Sequence, residues 1–525
     1  MLIEELASKV ELAKSKENLR EILRDLCLLS SNERTSKESI LLLDKAIEKS
    51  ELLNDELSLA NLIGYKIPML YNNQENISKV RKLITRMKSI SEKNNYRDIL
   101  AWAYSYVWYI EKLEGNKKKS VEALEHSLEL LDRLSNYDEH IYHFIRYSYA
   151  VEQWLDSRDF KSSIILEECA NYFYLNGYFH SFARTLCILI VIYQQTQNNE
   201  KSMEIIRKIL SNYDFLAKMP EEIKSIVYYF IGVSHKLSFN LSVTEKYLLE
   251  AERILKPIYK ESIYSRYYLT ALSHLSAISA LQGKLELALD QMKRVEDLLE
   301  EEIVLRNIDV FNKIQIIHTY NLTKFYLQSR LHNFCVEKSQ GLIQTIISNV
   351  GTYHSNAMML SEFLLNANLT KAELHDIKTL NNPSTRRVEH ILDFLIGEES
   401  DDDKRTLRRI NALKRRPVEV RMTYVEKAFA DLLAAQEYYK INRFAEIYPL
   451  LKKYENQTHK IEVLEMRVFM EAFIQVGAYK NGDPLGPALQ YMAIKKCRNY
   501  GFSRLENRLL DYLDIQRRDI HSLIT

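Results

Sequence analysis

Apolar and polar residues recur along this chain with the period of an amphipathic helix, and the pattern itself repeats. Between Tyr228 and Val295 two helical hairpins follow one another, the second starting about 44 residues after the first. In the first, Tyr228, Ile231, Gly232 and His235 mark one helix, Thr244, Leu248 and Ala251 the next, and Pro257 closes the pair. In the second, Leu272, Leu275, Ser276 and Ser279 precede a turn at Gln282-Gly283-Lys284, followed by Ala288, Met292 and Val295. Small residues at matching places let paired helices approach closely, and larger ones fill the gap to the next pair.

The same register predicts first helices starting near Leu57, Ile99, Ile141, His180, Glu222, Ser265 and Phe311, a period of roughly 39 to 46 residues. In the hairpin from Ile141, Tyr147, Ala150 and Trp154 take core positions, Arg158-Asp159-Phe160 forms the turn, and Ser163 and Ala170 are the small residues of the second helix. The next pair uses Leu186, Leu189 and Tyr193, a turn at Gln197-Asn198-Asn199, then Ser202 and Ile206. Residues 1–56 read as an N-terminal helical cap and 57–346 as the repeat array. Residues 347–420 interrupt it with charged sequence, and 421–525 return to hairpins and a capping helix.

Composition agrees with an all-α chain. With 12 glycines and 8 prolines in 525 residues, turn residues are too few for a sheet protein. Lys plus Arg (72) balances Asp plus Glu (71), so no whole-molecule charge drives the chain toward nucleic acid or an anionic membrane. Cys27, Cys169, Cys187, Cys335 and Cys497 are scattered and form no CxxC pair, which reads as thiols in a reducing compartment. The start lacks a basic leader, and the most apolar run, Leu186 to Tyr193, is far short of the roughly 20 residues that span a bilayer. The expectation is a cytoplasmic protein without membrane contact.

The search for chemistry is short. GxSxG, GxGxxG and GxxxxGK[ST] are absent, so neither a nucleophile elbow nor a phosphate loop is predicted. His140 and His143 share a helix face at metal-ligand spacing, but no third ligand stands nearby, and they read as ordinary residues of a first turn. His235 and His318 fall on interior faces. The chain is expected to be no enzyme, with no cofactor and no metal. An acidic run (Glu398 to Asp403) meets a basic one containing Lys404, Arg405, Arg408, Arg409, Arg415 and Arg416. Three readings stay open for it: a solvated linker, a contact to a polyanion such as nucleic acid, or a docking or cleavage site. Stacking aromatics, which single-stranded nucleic acid would use, are missing there.

These hairpins resemble tetratricopeptide repeats, and their length makes them similar to the helical-repeat sensor domains of bacterial regulators. The resemblance implies a right-handed superhelical array of antiparallel hairpins, a tetratricopeptide-like α-solenoid, with a concave groove lined by the first helices. Its offsets pick out Trp102, Tyr109 and Lys112, then Ser148, Glu152 and Asp156, then Arg184, Val191 and Gln194. Tyr229, Val233 and Lys236 follow, and Thr270, Ser273 and Ala277 supply a small-residue floor. The function so implied is a scaffold or adaptor holding a protein or peptide in that groove. A peptide- or ligand-responsive regulator is the alternative, and no helix-turn-helix accompanies it.

Overall fold

Helix ends in this chain are set by residues that enter the left-handed backbone region. Asn54, Asn95 and Asn442 have φ of 49°, 57° and 55°, and Gly115, Gly177 and Gly283 have φ of 80°, 77° and 79°. Each stands one or two residues past the end of a helix, where such a residue lets the chain reverse and satisfies the last carbonyls. Asn tolerates this region better than other residues with a side chain, which is why it alternates here with glycine. The buried Phe239, at φ 59°, is the bulky exception.

The computed structural model describes residues 3–32, 36–72, 77–157, 159–195, 199–211, 216–217, 219–261, 264–301, 310–331, 360–361, 364–365, 369–379, 388–397, 403–414, 422–482, 486–500, 506–507 and 509–510. Among the described residues every regular element is helical. The N-terminal helices are α1 (Ile3–Leu12), α2 (Lys16–Glu21), α3 (Leu23–Asn32) and α4 (Lys37–Leu52). Paired helices follow: α5 (Glu56–Asn72) with α6 (Ile77–Asn94), α7 (Arg97–Leu113) with α8 (Lys117–Asp132), and α9 (Glu139–Ser157) with α10 (Lys161–Leu175). Next come α11 (Phe179–Gln195) with α12 (Asn199–Ser211), α13 (Glu221–Leu237) with α14 (Leu241–Leu255), and α15 (Tyr264–Leu281) with α16 (Leu285–Glu300). Then stand α17 (Val310–Leu331), α18 (Lys371–Thr379), α19 (Glu389–Ile396), α20 (Asp403–Lys414), α21 (Tyr424–Lys440), α22 (Ile447–Leu451), α23 (Leu464–Lys480) and α24 (Gly486–Asn499).

The first helices start at Glu56, Arg97, Glu139, Phe179, Glu221, Tyr264 and Val310, each within two residues of the position predicted from the apolar register. Many consecutive helices pack on one another, so the chain is an all-α, helical-repeat-like array.

The chain divides into two compact units. The first comprises residues 1–230, 253–268 and 306–309; the second comprises 231–252, 269–305 and 310–525. The division therefore falls inside α13, α14 and α15, within the stretch read from sequence as one array.

In the first unit a continuous apolar core runs from Leu6 and Leu26 through Leu62, Trp102 and Ile145 to Phe173 and Tyr178. Gly64 on α5 is required there, because a Cβ would stand 2.4 Å from the Trp102 ring. The N-terminal segment does more than cover one end. α3 packs on α5 and also on α11. Asn32 Nδ2 donates to Gly177 O at 2.9 Å, and His180 N donates to Asn32 Oδ1 at 3.4 Å. One side chain thus satisfies both a carbonyl at the end of α10 and a free N–H at the start of α11. Asp55 fixes α2 in the same unit, accepting from Arg20 Nη2 at 2.7 Å and Nε at 3.1 Å.

In the second unit, Gly232 on α13 lets α14 approach, since a Cβ there would lie 2.8 Å from Leu248 Cγ. A capping box starts α21: Thr423 accepts from Glu426 N at 3.3 Å, and Thr423 N donates to Glu426 at 2.7 Å. Helix α20 packs between α19 and α21.

Candidate functional site

Successive first helices in the first unit carry aromatic and basic residues, and packing decides which of these remain available. On α7, Trp102 is 1% exposed. Its ring lies 5.7 Å from Tyr65 and 6.1 Å from His140, so it is a core residue of the α5–α7–α9 packing and does not line a groove. Tyr109, two turns further on, keeps partial exposure and stands edge-on to Tyr71 at 4.7 Å.

Lys112 and Glu152 meet each other. Glu152 on α9 forms an ion pair with Lys112 and accepts from Trp108 Nε1 at 3.2 Å, while the Lys112 ammonium lies 5.2 Å from the Trp108 ring centre. The pair ties α7 to α9, and its charges cancel.

Arg184 on α11 is in the opposite situation. It is partly exposed, yet the groups within its electrostatic reach are Tyr147, Tyr267, Tyr109 and Arg266, drawn from α9, α15 and α7. Burial works against the guanidinium's charge, and the three tyrosines outweigh burial, so its pKa lies above the ordinary value; Arg266 opposes them. Among the described residues no carboxylate pairs with Arg184 and no acceptor takes a hydrogen bond from it. Arg266 donates to Tyr267 Oη at 3.0 Å and lies 4.7 Å from that ring's centre. Tyr229 on α13 packs 5.6 Å from Tyr267, but at 6% exposure it offers little surface.

The remaining groove residues go elsewhere. Lys236 is 2% exposed and stands in the second unit, its Nζ 3.0 Å from His274 Nδ1. Burial pushes the Lys236 ammonium down to about 7; burial, and then the Lys236 charge, push the His274 imidazolium well below its usual range. Ser148, Thr270, Ser273 and Ala277 are buried, so the small-residue floor is helix interface. The side chains of Gln194 and Asp156 lie outside the described residues. Sequence reasoning missed Arg266 and Tyr267. The Arg266-Tyr267-Tyr268 run near the start of α15 was the available signal, a cation beside two aromatics on a first helix. Tyr147 had been read as core alone.

The basic stretch is not one surface. Arg409 is 8% exposed, donates from Nε to Phe394 O at 3.3 Å, approaches Glu437 at 3.6 Å and lies 4.3 Å from the Phe394 ring centre. It is a packing residue, because α20 turns that side toward α19 and α21. Lys404, Arg405 and Arg408 are exposed, and Arg415 and Arg416 lie outside the described residues. His140 and His143 are ring-packing residues, 4.5 Å from Tyr178 and 4.1 Å from Tyr172.

Helices α10, α11 and α12 also border a groove of about 720 Å³, floored by Phe182, Leu186 and Leu189 and walled by Tyr174 and Ile205. Lys201 on α12 and Glu167 on α10 pair across it at 3.6 Å. Among the described residues no group of three His, Cys, Asp or Glu side chains is placed to hold a metal, and no helix is long and apolar enough to cross a membrane. No protein-family model matches the chain, and comparison with curated proteins gives no match.

Proposed function

We propose that this chain is a non-enzymatic binding protein that holds an extended peptide across the first helices of its N-terminal unit. The observation that supports this reading is that Tyr109, Tyr147 and Tyr267, on three first helices far apart in sequence, all lie within electrostatic range of Arg184 on a fourth. Tyrosine offers a flat apolar face with a hydrogen-bonding tip, and a set of such faces suits a chain of alternating side chains and amides. Packed helices stand about 8–10 Å apart, so α7, α9 and α11 together span roughly 20 Å, the reach of about six extended residues.

The test uses the full-length protein and a random hexapeptide pool, with retained peptides counted by native mass spectrometry. Wild type is expected to retain peptides, and Tyr109→Ala with Tyr267→Ala to lose most of them while the helical circular-dichroism signal persists. Equal retention by wild type and the double variant removes this face from the reading.

A further inference from the structure

The groove over α11 has two unlike ends. Phe182, Leu186 and Leu189 form its floor, and Tyr174 and Ile205 stand on its walls. Phe182, Leu186 and Ile205 are only partly covered, so apolar surface is left open along it. Near Tyr193 the lining becomes charged. Tyr193, 1% exposed, donates its hydroxyl to the Glu167 carboxylate. A donor fixed in the core thereby holds an acid of α10 at the edge of the groove. The ammonium of Lys201 on α12 completes the arrangement, 3.6 Å from Glu167 and 5.0 Å from the centre of the Tyr193 ring.

An acid beside an aromatic face is an environment that favours a cation. Here the protein's own lysine fills it. The hold is weak: the side chains of Lys201 and Glu167 are 48% and 47% exposed, and pairs so wetted gain little from their charges. Lys201 reaches the spot on a flexible four-carbon stem that can swing into solvent, whereas Glu167 is steadied by Tyr193. A carboxylate also has room for more donors than these two. Further along the wall, Lys208 and Glu204 pair with each other at 2.7 Å and cancel. The volume of about 720 Å³ is that of a small-molecule site. Between Phe182 and Tyr193, α11 rises roughly 16 Å, so the apolar floor and the charged end lie along one line.

We propose that this groove binds an elongated amphiphile with a cationic head. Its apolar chain lies on Phe182, Leu186 and Ile205, and its ammonium takes the place beside Glu167 and Tyr193 that Lys201 now holds. Lys201 is then a resident competitor, displaced when the ligand enters. The site uses none of Tyr109, Tyr147, Arg184 and Tyr267, so it stands independently of the peptide reading.

The test is calorimetric titration of the full-length protein with decylamine, decanoate and decanol, each below its micelle-forming concentration. Wild type is expected to bind decylamine about tenfold more tightly than decanol. Glu167→Gln, which keeps an acceptor for Tyr193, is expected to lose that preference. Lys201→Ala is expected to tighten decylamine binding about threefold, the worth of one exposed ion pair. That gain is a result which a merely structural pair would not give. Leu186→Trp fills the floor and is expected to abolish binding of all three.

Decanoate binding more tightly than decylamine, with the advantage lost in Lys201→Ala, makes Lys201 the anchor and overturns the proposal. So does wild type that binds no decylamine, or decylamine affinity that neither Glu167→Gln nor Lys201→Ala changes. Unchanged binding by a folded Leu186→Trp places the amphiphile elsewhere and overturns it too. If Leu186→Trp loses its helical circular-dichroism signal, the two charge variants, both at exposed positions, decide the matter.

Discussion

Helix α20 brings Arg409 to rest among partners of its own chain: the Glu437 carboxylate, the Phe394 carbonyl and the Phe394 ring. Helix α11 carries Arg184, for which no ion pair and no hydrogen bond is made among the described residues. Both residues were candidate binding groups by sequence. What separates them is the company each keeps. A satisfied arginine holds helices together and has no donors to spare, whereas an unsatisfied one is a standing cost that ligand binding can relieve.

The largest test of this contrast is to remove both side chains. Arg409→Ala leaves Glu437 buried with Lys440 as its remaining ion-pair partner, and it strips a stacked group from Phe394. It is expected to destabilise the protein by about 3 kcal/mol in urea unfolding followed by circular dichroism. Arg184→Met is expected to lose nothing. Equal losses at the two positions would erase the distinction.

Acid titration sharpens the picture within the second unit. His390, 5% exposed on α19, is pushed down to about 4 by burial, although Glu426 and Asp393 pull the other way. The sign follows from which state binds the proton. Above its ordinary 6.5 the imidazole is neutral folded and unfolded, and it adds no pH dependence. Between 6.5 and about 4 the unfolded chain takes up the proton first, so stability falls with pH, by about 3 kcal/mol in total. In urea unfolding between pH 7 and 4, His390→Gln is expected to show a shallower loss than wild type. Identical slopes would mean that this histidine is hydrated. The smallest effect belongs to Arg408, next to Arg409 but exposed. Arg408→Ala is expected to change urea stability by less than about 0.5 kcal/mol, and a larger change would mean that exposure does not separate the two neighbours.

Much of the fold was legible because helix starts depend on local chemistry. Apolar spacing and turn residues such as Gly283 and Asn442 lie within a few positions of the ends that they set. Which side chains of the first helices stay exposed was less legible, for a geometric reason. Each residue turns a helix by about 100°, so a small error in register moves a side chain from one face to another. Offsets taken from a 34-residue unit were laid on hairpins whose first helices start 40 to 46 residues apart. They selected Tyr109 and Arg184, which are partly exposed, but also Trp102, Tyr229 and Lys236, which are interior. Burial of Arg409 was invisible for another reason: it depends on α19 and α21, and a run of basic residues on one helix says nothing of its neighbours.

The clamp between Asn32 and the α10–α11 corner has a consequence for how the chain is made. Asn32 and Gly177 are 145 residues apart. At ordinary translation rates of about 5–20 residues per second, α3 leaves the ribosome on the order of ten seconds before its seat exists. During that interval Leu26 and Cys27, both buried in the finished protein, have no α11 to cover them. The segment made first can dock on α5 early, but its contact with the α10–α11 corner is completed only after some 145 further residues have been made.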